Sequence, residues 1–86
     1  MDPYKKHKHL IDQLLTALPF EEHTRKIVAE YLDAGEYGIV FDQIVHDIYE
    51  YRISLKATDY RQIEALAQLM KLPEEDYTFL EPQIIS

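Results

Sequence analysis

Apolar side chains return along this chain at helical spacing in four separate stretches. Over residues 4–17, Leu10, Ile11, Leu14 and Leu15 recur with a period of about 3.6, continued by Leu18 and extended backward by Tyr4 and His7. Pro19 ends this helix, because the residue before a proline is steered away from the helical region. A second helix is predicted to open at Pro19 or Phe20, with Glu21 and Glu22 in its first turn, where the helix dipole favours acids. Phe20, Thr24, Ile27, Val28, Tyr31 and Leu32 share one face of it. Gly35 follows, where a left-handed C-terminal cap is wanted.

The third predicted helix spans residues 36–51. Tyr37, Phe41, Ile44, Val45, Ile48 and Tyr51 lie on one broad side. Glu36, Gln43, Asp47 and Glu50 lie opposite, flanked by Asp42 and His46. Ile39 and Tyr49 are the anomalies, large apolar groups on or beside the acidic side. Residues 52–57 lose the period and read as a connection, with Ile53 and Leu55 able to dip into the core. Thr58 is a suitable N-cap for a fourth helix, whose stripe is Tyr60, Ile63, Leu66, Ala67 and Met70, up to Pro73. One short turn is expected after Pro73, and Phe79, Leu80, Ile84 and Ile85 predict that the tail packs down. No segment alternates convincingly as a strand. The pattern therefore predicts an all-α fold, a small antiparallel bundle of about four helices with a short C-terminal turn, as one domain over residues 1–86.

Composition narrows the function. The chain has 86 residues, 47% hydrophobic, with two glycines and no cysteine, which excludes disulfides and thiolate metal sites. Its start is too polar for a signal peptide, and no apolar run approaches a membrane span. A cytoplasmic location is expected. Sixteen acids against nine lysines and arginines give a net charge of −7. That balance disfavours direct binding to nucleic acid and to an anionic membrane, and favours a basic protein partner.

The charge is unevenly placed. Lys5, Lys6 and Lys8 cluster near the start. From Ile27 to Tyr51 there are 25 residues with no lysine or arginine, and six acids: Glu30, Asp33, Glu36, Asp42, Asp47 and Glu50. A surface facing a partner is read from Ile39, Asp42, His46, Asp47, Tyr49 and Glu50, with Glu30 and Asp33 at its rim. Against it stands the plain alternative that a run of acids is a solvated helix face.

Catalytic signals are thin. Gly35 and Gly38 make no phosphate loop, and Ser54 and Ser86 have no activating context. Asp42, His46 and Glu50 form an i, i+4, i+8 row, but a metal would need further ligands from elsewhere. No catalytic residue, metal or cofactor is expected.

The segment Tyr31-Leu32-Asp33-Ala34-Gly35-Glu36-Tyr37-Gly38-Ile39-Val40-Phe41-Asp42 carries a resemblance. So do Ile53-Ser54-Leu55, Asp59-Tyr60, Ile63, Leu66-Ala67 and Met70-Lys71-Leu72. From about Ile27 to Leu80 the chain resembles small bacterial immunity proteins of the Maf and contact-dependent growth inhibition type. The resemblance implies a cytoplasmic antidote that binds the carboxy-terminal toxin domain, often an RNase or other nuclease, of a secreted or surface-displayed effector. It also implies that Gly35 and Glu36, which match the shared pattern, are structural. The reading from a different class is an acidic helical adaptor or regulatory domain, which binds a basic cellular protein or mimics nucleic-acid charge.

Overall fold

The computed structural model describes residues 2–85; Met1 and Ser86, the latter one of the two serines, lie outside them. Four helices form: α1 (Lys5–Ala17), α2 (Glu22–Asp33), α3 (Tyr37–Glu50) and α4 (Ala57–Leu69), followed by two 3₁₀ turns, Glu74–Asp76 and Thr78–Gln83. They make a small helical bundle in which α2 packs on α3 and α1 on α4, and the tail closes against α3 and α4. Ile11, Leu14, Val28, Val40, Ile48, Leu55, Ile63, Leu66 and Leu80 are fully buried. At roughly 1.5–3 kcal/mol for each such large side chain, this core is the main stabilising term.

Local chemistry sets where each helix ends. Leu18, the residue before Pro19, is extended (φ −106°, ψ 148°), and α1 stops there. The second helix starts later than predicted, at Glu22 with Glu21 as its N-cap, and Phe20 is buried in the turn instead. Arg25 reaches back to hold that turn: its Nε donates to the Phe20 carbonyl at 3.2 Å and its Nη2 to the Leu18 carbonyl at 3.1 Å. The fourth helix starts earlier than predicted. Lys56, not Thr58, is the N-cap, and its N–H donates to Asp59 Oδ2 at 2.9 Å. A lysine side chain has no acceptor, so the reciprocal half of a capping box cannot form.

Three helices end in the same way. The residue three past the last helical one donates back across the final turn: Glu36 to the Tyr31 carbonyl, Ile53 to that of Ile48, and Leu72 to that of Ala67. Each is a Schellman closure, which needs a left-handed residue just before it. Gly35 supplies one (φ 73°), as its position predicts. Arg52 (φ 50°) and Lys71 (φ 59°) supply the others despite their side chains. The closure after α3 corrects the reading of Tyr51. It is the C-cap residue, and at 49% exposed it has left the apolar stripe.

The tail packs down as its apolar residues predict. Leu55 N donates to the Gln83 carbonyl at 2.9 Å and Ile85 N to the Leu55 carbonyl at 2.7 Å, an isolated parallel bridge between Leu55 and Ile84. Gln83 Nε2 adds bonds to the carbonyls of Ile48 (2.8 Å) and Ile53 (3.0 Å). These tie the end of the chain to the end of α3. At the other end of α3, Tyr4 stacks on Tyr37 with ring centroids 4.5 Å apart.

Candidate protein-binding face of the third helix

The apolar period of α3 gives it an inner side and an outer side. Val40, Phe41, Ile44, Val45 and Ile48 are buried; Ile39, Asp42, His46, Tyr49 and Glu50 are exposed. At 100° per residue these five outer side chains fall within an arc of roughly 100°. The two apolar members stand well clear of the core, Ile39 at 42% and Tyr49 at 56% exposed. Glu30 and Asp33 are also exposed, on the neighbouring α2.

Asp47 does not join them, and this corrects its placement on the partner-facing surface. It lies beyond the edge of the outer arc and turns toward α2, only 4% exposed. Thr24 Oγ1 donates to its Oδ2 at 2.6 Å, and Gln43 Nε2 to its Oδ1 at 3.1 Å; His46 Nδ1 lies 3.1 Å from the same Oδ1. Burial pushes this carboxyl upward. The bonds from Thr24, His46 and Gln43 together outweigh burial and hold it below the ordinary carboxylate value. Asp47 is therefore an ionised tie between α3 and α2.

The outer arc acquires a neighbour from far along the chain. Phe79, in the second 3₁₀ turn, is 43% exposed and meets Tyr49 edge to face, with ring centroids 5.5 Å apart. Tyr49, Glu50, Arg52, Phe79, Pro82 and Gln83 line one open cleft there. The only sequence signal for Phe79 is a bulky apolar residue in a tail otherwise held by Leu80 and Ile84.

Two tyrosines behind this region are engaged with acids. Tyr60 Oη donates to Glu81 at 3.3 Å and Tyr77 Oη to Glu64 at 3.4 Å. Burial, reinforced by the Glu81 carboxylate, pushes Tyr60 up to about 12, and burial with the Glu64 charge raises Tyr77 as well.

No group of three or more histidine and carboxylate side chains is disposed to hold a metal ion among the described residues. No helix among them is long and apolar enough to cross a membrane. Comparison with models of known protein families, with characterised proteins and with solved structures returns no match.

Proposed function

We propose that this chain is an immunity-type inhibitor that binds the toxin domain of a secreted or contact-dependent effector through the outer face of α3. One observation carries the reading. Ile39 and Tyr49 stand exposed among Asp42, His46 and Glu50, on a helix within a 25-residue stretch that has no lysine or arginine. Exposed apolar groups set beside carboxylates give both parts of a recognition surface: anchors that can be desolvated, and a field that selects the partner.

The partner this face fits is basic. A nuclease must bind phosphate, so its active cleft carries positive charge. An acidic helix face can occupy that cleft or a basic surface beside it. Opposite fields speed encounter, and buried anchors slow release. Inhibition by stoichiometric binding needs no catalytic group on this chain. In this reading the protein works in the cytoplasm.

Co-expression with the carboxy-terminal domain encoded by the gene immediately upstream tests the proposal. Growth is expected to be arrested by that domain alone and restored by this chain, with the two purifying together. A toxic domain that this chain neither binds nor neutralises would remove the proposal. It would return the chain to the class of acidic adaptors.

A further inference from the structure

One imidazole joins the outer face of α3 to its buried side. His46 Nδ1 lies 3.1 Å from Asp47 Oδ1, and the two side chains differ sharply in exposure, 66% against 6%. Asp47 is held in turn by Thr24 Oγ1, 2.6 Å from its Oδ2, and by Gln43 Nε2, 3.1 Å from its Oδ1. A chain of contacts therefore runs from α2, through a buried carboxylate, to a solvent-facing ring.

That chain fixes where a neutral imidazole carries its hydrogen. An ionised carboxylate accepts hydrogen bonds and donates none. Asp47 is ionised, so the Nδ1 that faces it must hold the hydrogen and donate. The other ring nitrogen, Nε2, is then left with its lone pair. It forms no hydrogen bond among the described residues.

The surroundings of this lone pair are acidic. Asp42 and Glu50 stand one turn before and one turn after His46, about 40° to either side of it on the helix. Both are exposed, and neither forms an ion pair among the described residues. Arg52 shares a cleft with Glu50 but not with Asp42. On α2, Leu32 shares a cleft with Leu15 of α1, and Arg25 holds the Leu18 carbonyl, so that side of α2 faces α1. His23 and Glu30 lie on the other side of the Thr24 contact, while Lys26 points away from α3, about 160° round the helix from Thr24.

We propose that His46 Nε2 and the Asp42 carboxylate form an arginine site on the outer face, one guanidinium N–H meeting the imidazole lone pair and another the carboxylate. Side chains one turn apart on a helix have Cβ atoms about 5–6 Å from each other, a gap that a planar guanidinium fork can bridge and a compact ammonium cannot. Asp47, with Thr24 and Gln43 behind it, is the positioning residue. The proposal rests on the reading of this chain as a binder of basic protein, and it names the partner side chain that the face takes.

Imidazole nitrogen NMR on the full chain tests it without any toxin. The spectra are recorded at about pH 8, where an ordinary imidazole is neutral. His46 is expected to show a protonated Nδ1 and a bare Nε2, whereas the exposed His9 and His23 show a mixture of tautomers. In Asp47→Ala the His46 ring should return to that mixture, a readout that a merely structural Asp47 would not move. Acetyl-hexaarginine-amide is then titrated in at low ionic strength. The His46 Nε2 signal should move saturably while Nδ1 stays in place. Affinity should fall about threefold or more in His46→Ala, the worth of one hydrogen bond, and stay unchanged in His23→Ala.

A His46 ring protonated on Nε2, or mixed like His9 and His23, would overturn the proposal. So would an arginine peptide that leaves Nε2 unmoved, whether it fails to bind or shifts only the Asp42 and Glu50 amides. If Nε2 takes arginine while the upstream toxin domain does not bind, the immunity reading fails and the arginine site stands. If the toxin domain binds while His46 holds the other tautomer, the arginine site alone falls.

Discussion

The two sides of α3 carry nearly the same residue types and use them in opposite ways. Ile48 is fully buried on the inner side; Ile39 is 42% exposed on the outer side. Asp47 is buried against Thr24 and Gln43; Asp42, five residues earlier, is exposed. Tyr37 is buried under Tyr4, whereas Tyr49 is open to solvent beside Phe79. The comparison teaches that residue type does not assign a helical side chain to stability or to binding. Its angle on the helix and the element it faces do.

Matched substitutions on the two sides sharpen that difference. Ile48→Ala is expected to cost about 2–5 kcal/mol in chemical denaturation, as buried large-to-small changes do. Ile39→Ala should cost less than about 0.5 kcal/mol while weakening partner binding. Equal costs would mean the two sides are not distinct.

The aspartates give the next largest contrast. Asp47→Ala strips a buried carboxylate from three neighbouring side chains and should cost about 1–3 kcal/mol. Asp42→Ala should stay within about 0.5 kcal/mol. The pH profile distinguishes the two as well. Because the folded-state pKa of Asp47 lies below 3.8, its stabilisation is present above that pH and fades as pH falls below it. Unfolding curves measured from pH 5 down to about pH 2 should lose part of their acid slope in Asp47→Asn. An unchanged slope would show that the Thr24–Asp47 tie carries no charge-dependent stability.

Asp47 also marks where the sequence stopped being legible. Its place on the helix lies between the two sides, roughly 60° past Glu50 and 20° short of the buried Val40, where a neighbouring element decides whether a side chain turns in or out. The clue was on α2. Thr24 sits in an otherwise apolar stripe, and a buried hydroxyl there needs a hydrogen-bond partner, which Asp47 on α3 supplies. The four helices, the Gly35 cap and the packed connection at Ile53 and Leu55 were legible, because period and turn chemistry are local. Tyr51 was misread because the apolar period was carried one residue past the end of α3. The Phe79–Tyr49 pair was not legible at all. It joins residues 30 apart through a proline-containing tail that has no period.

Smaller effects probe the tie between the tail and α3. Gln83→Ala removes two bonds to backbone carbonyls and should cost about 0.5–1.5 kcal/mol. It should also raise hydrogen exchange at the Leu55 and Ile85 amides. Protection unchanged at both would place the hold on the tail elsewhere, in Leu80 and Ile84.

Alkaline pH should produce the last and mildest change. With the Tyr60 folded-state pKa raised from 10.0 to about 12, the unfolded chain releases that proton first. The stability it contributes is complete below pH 10 and lost as pH rises toward 12. Tyr60→Phe should flatten that decline, with both variants followed by circular dichroism.

The central claim is that the outer face of α3 selects a basic protein partner. The most direct test is the association rate of this chain with its proposed partner, the carboxy-terminal domain encoded by the gene immediately upstream, measured for the unaltered chain and for Asp42→Lys/Glu50→Lys. Both substituted side chains are exposed, so helicity should not change. The expected rate for the doubly substituted chain is lower by about tenfold or more at low salt, with the gap closing as salt rises. An association rate and salt dependence identical in the two proteins would contradict it.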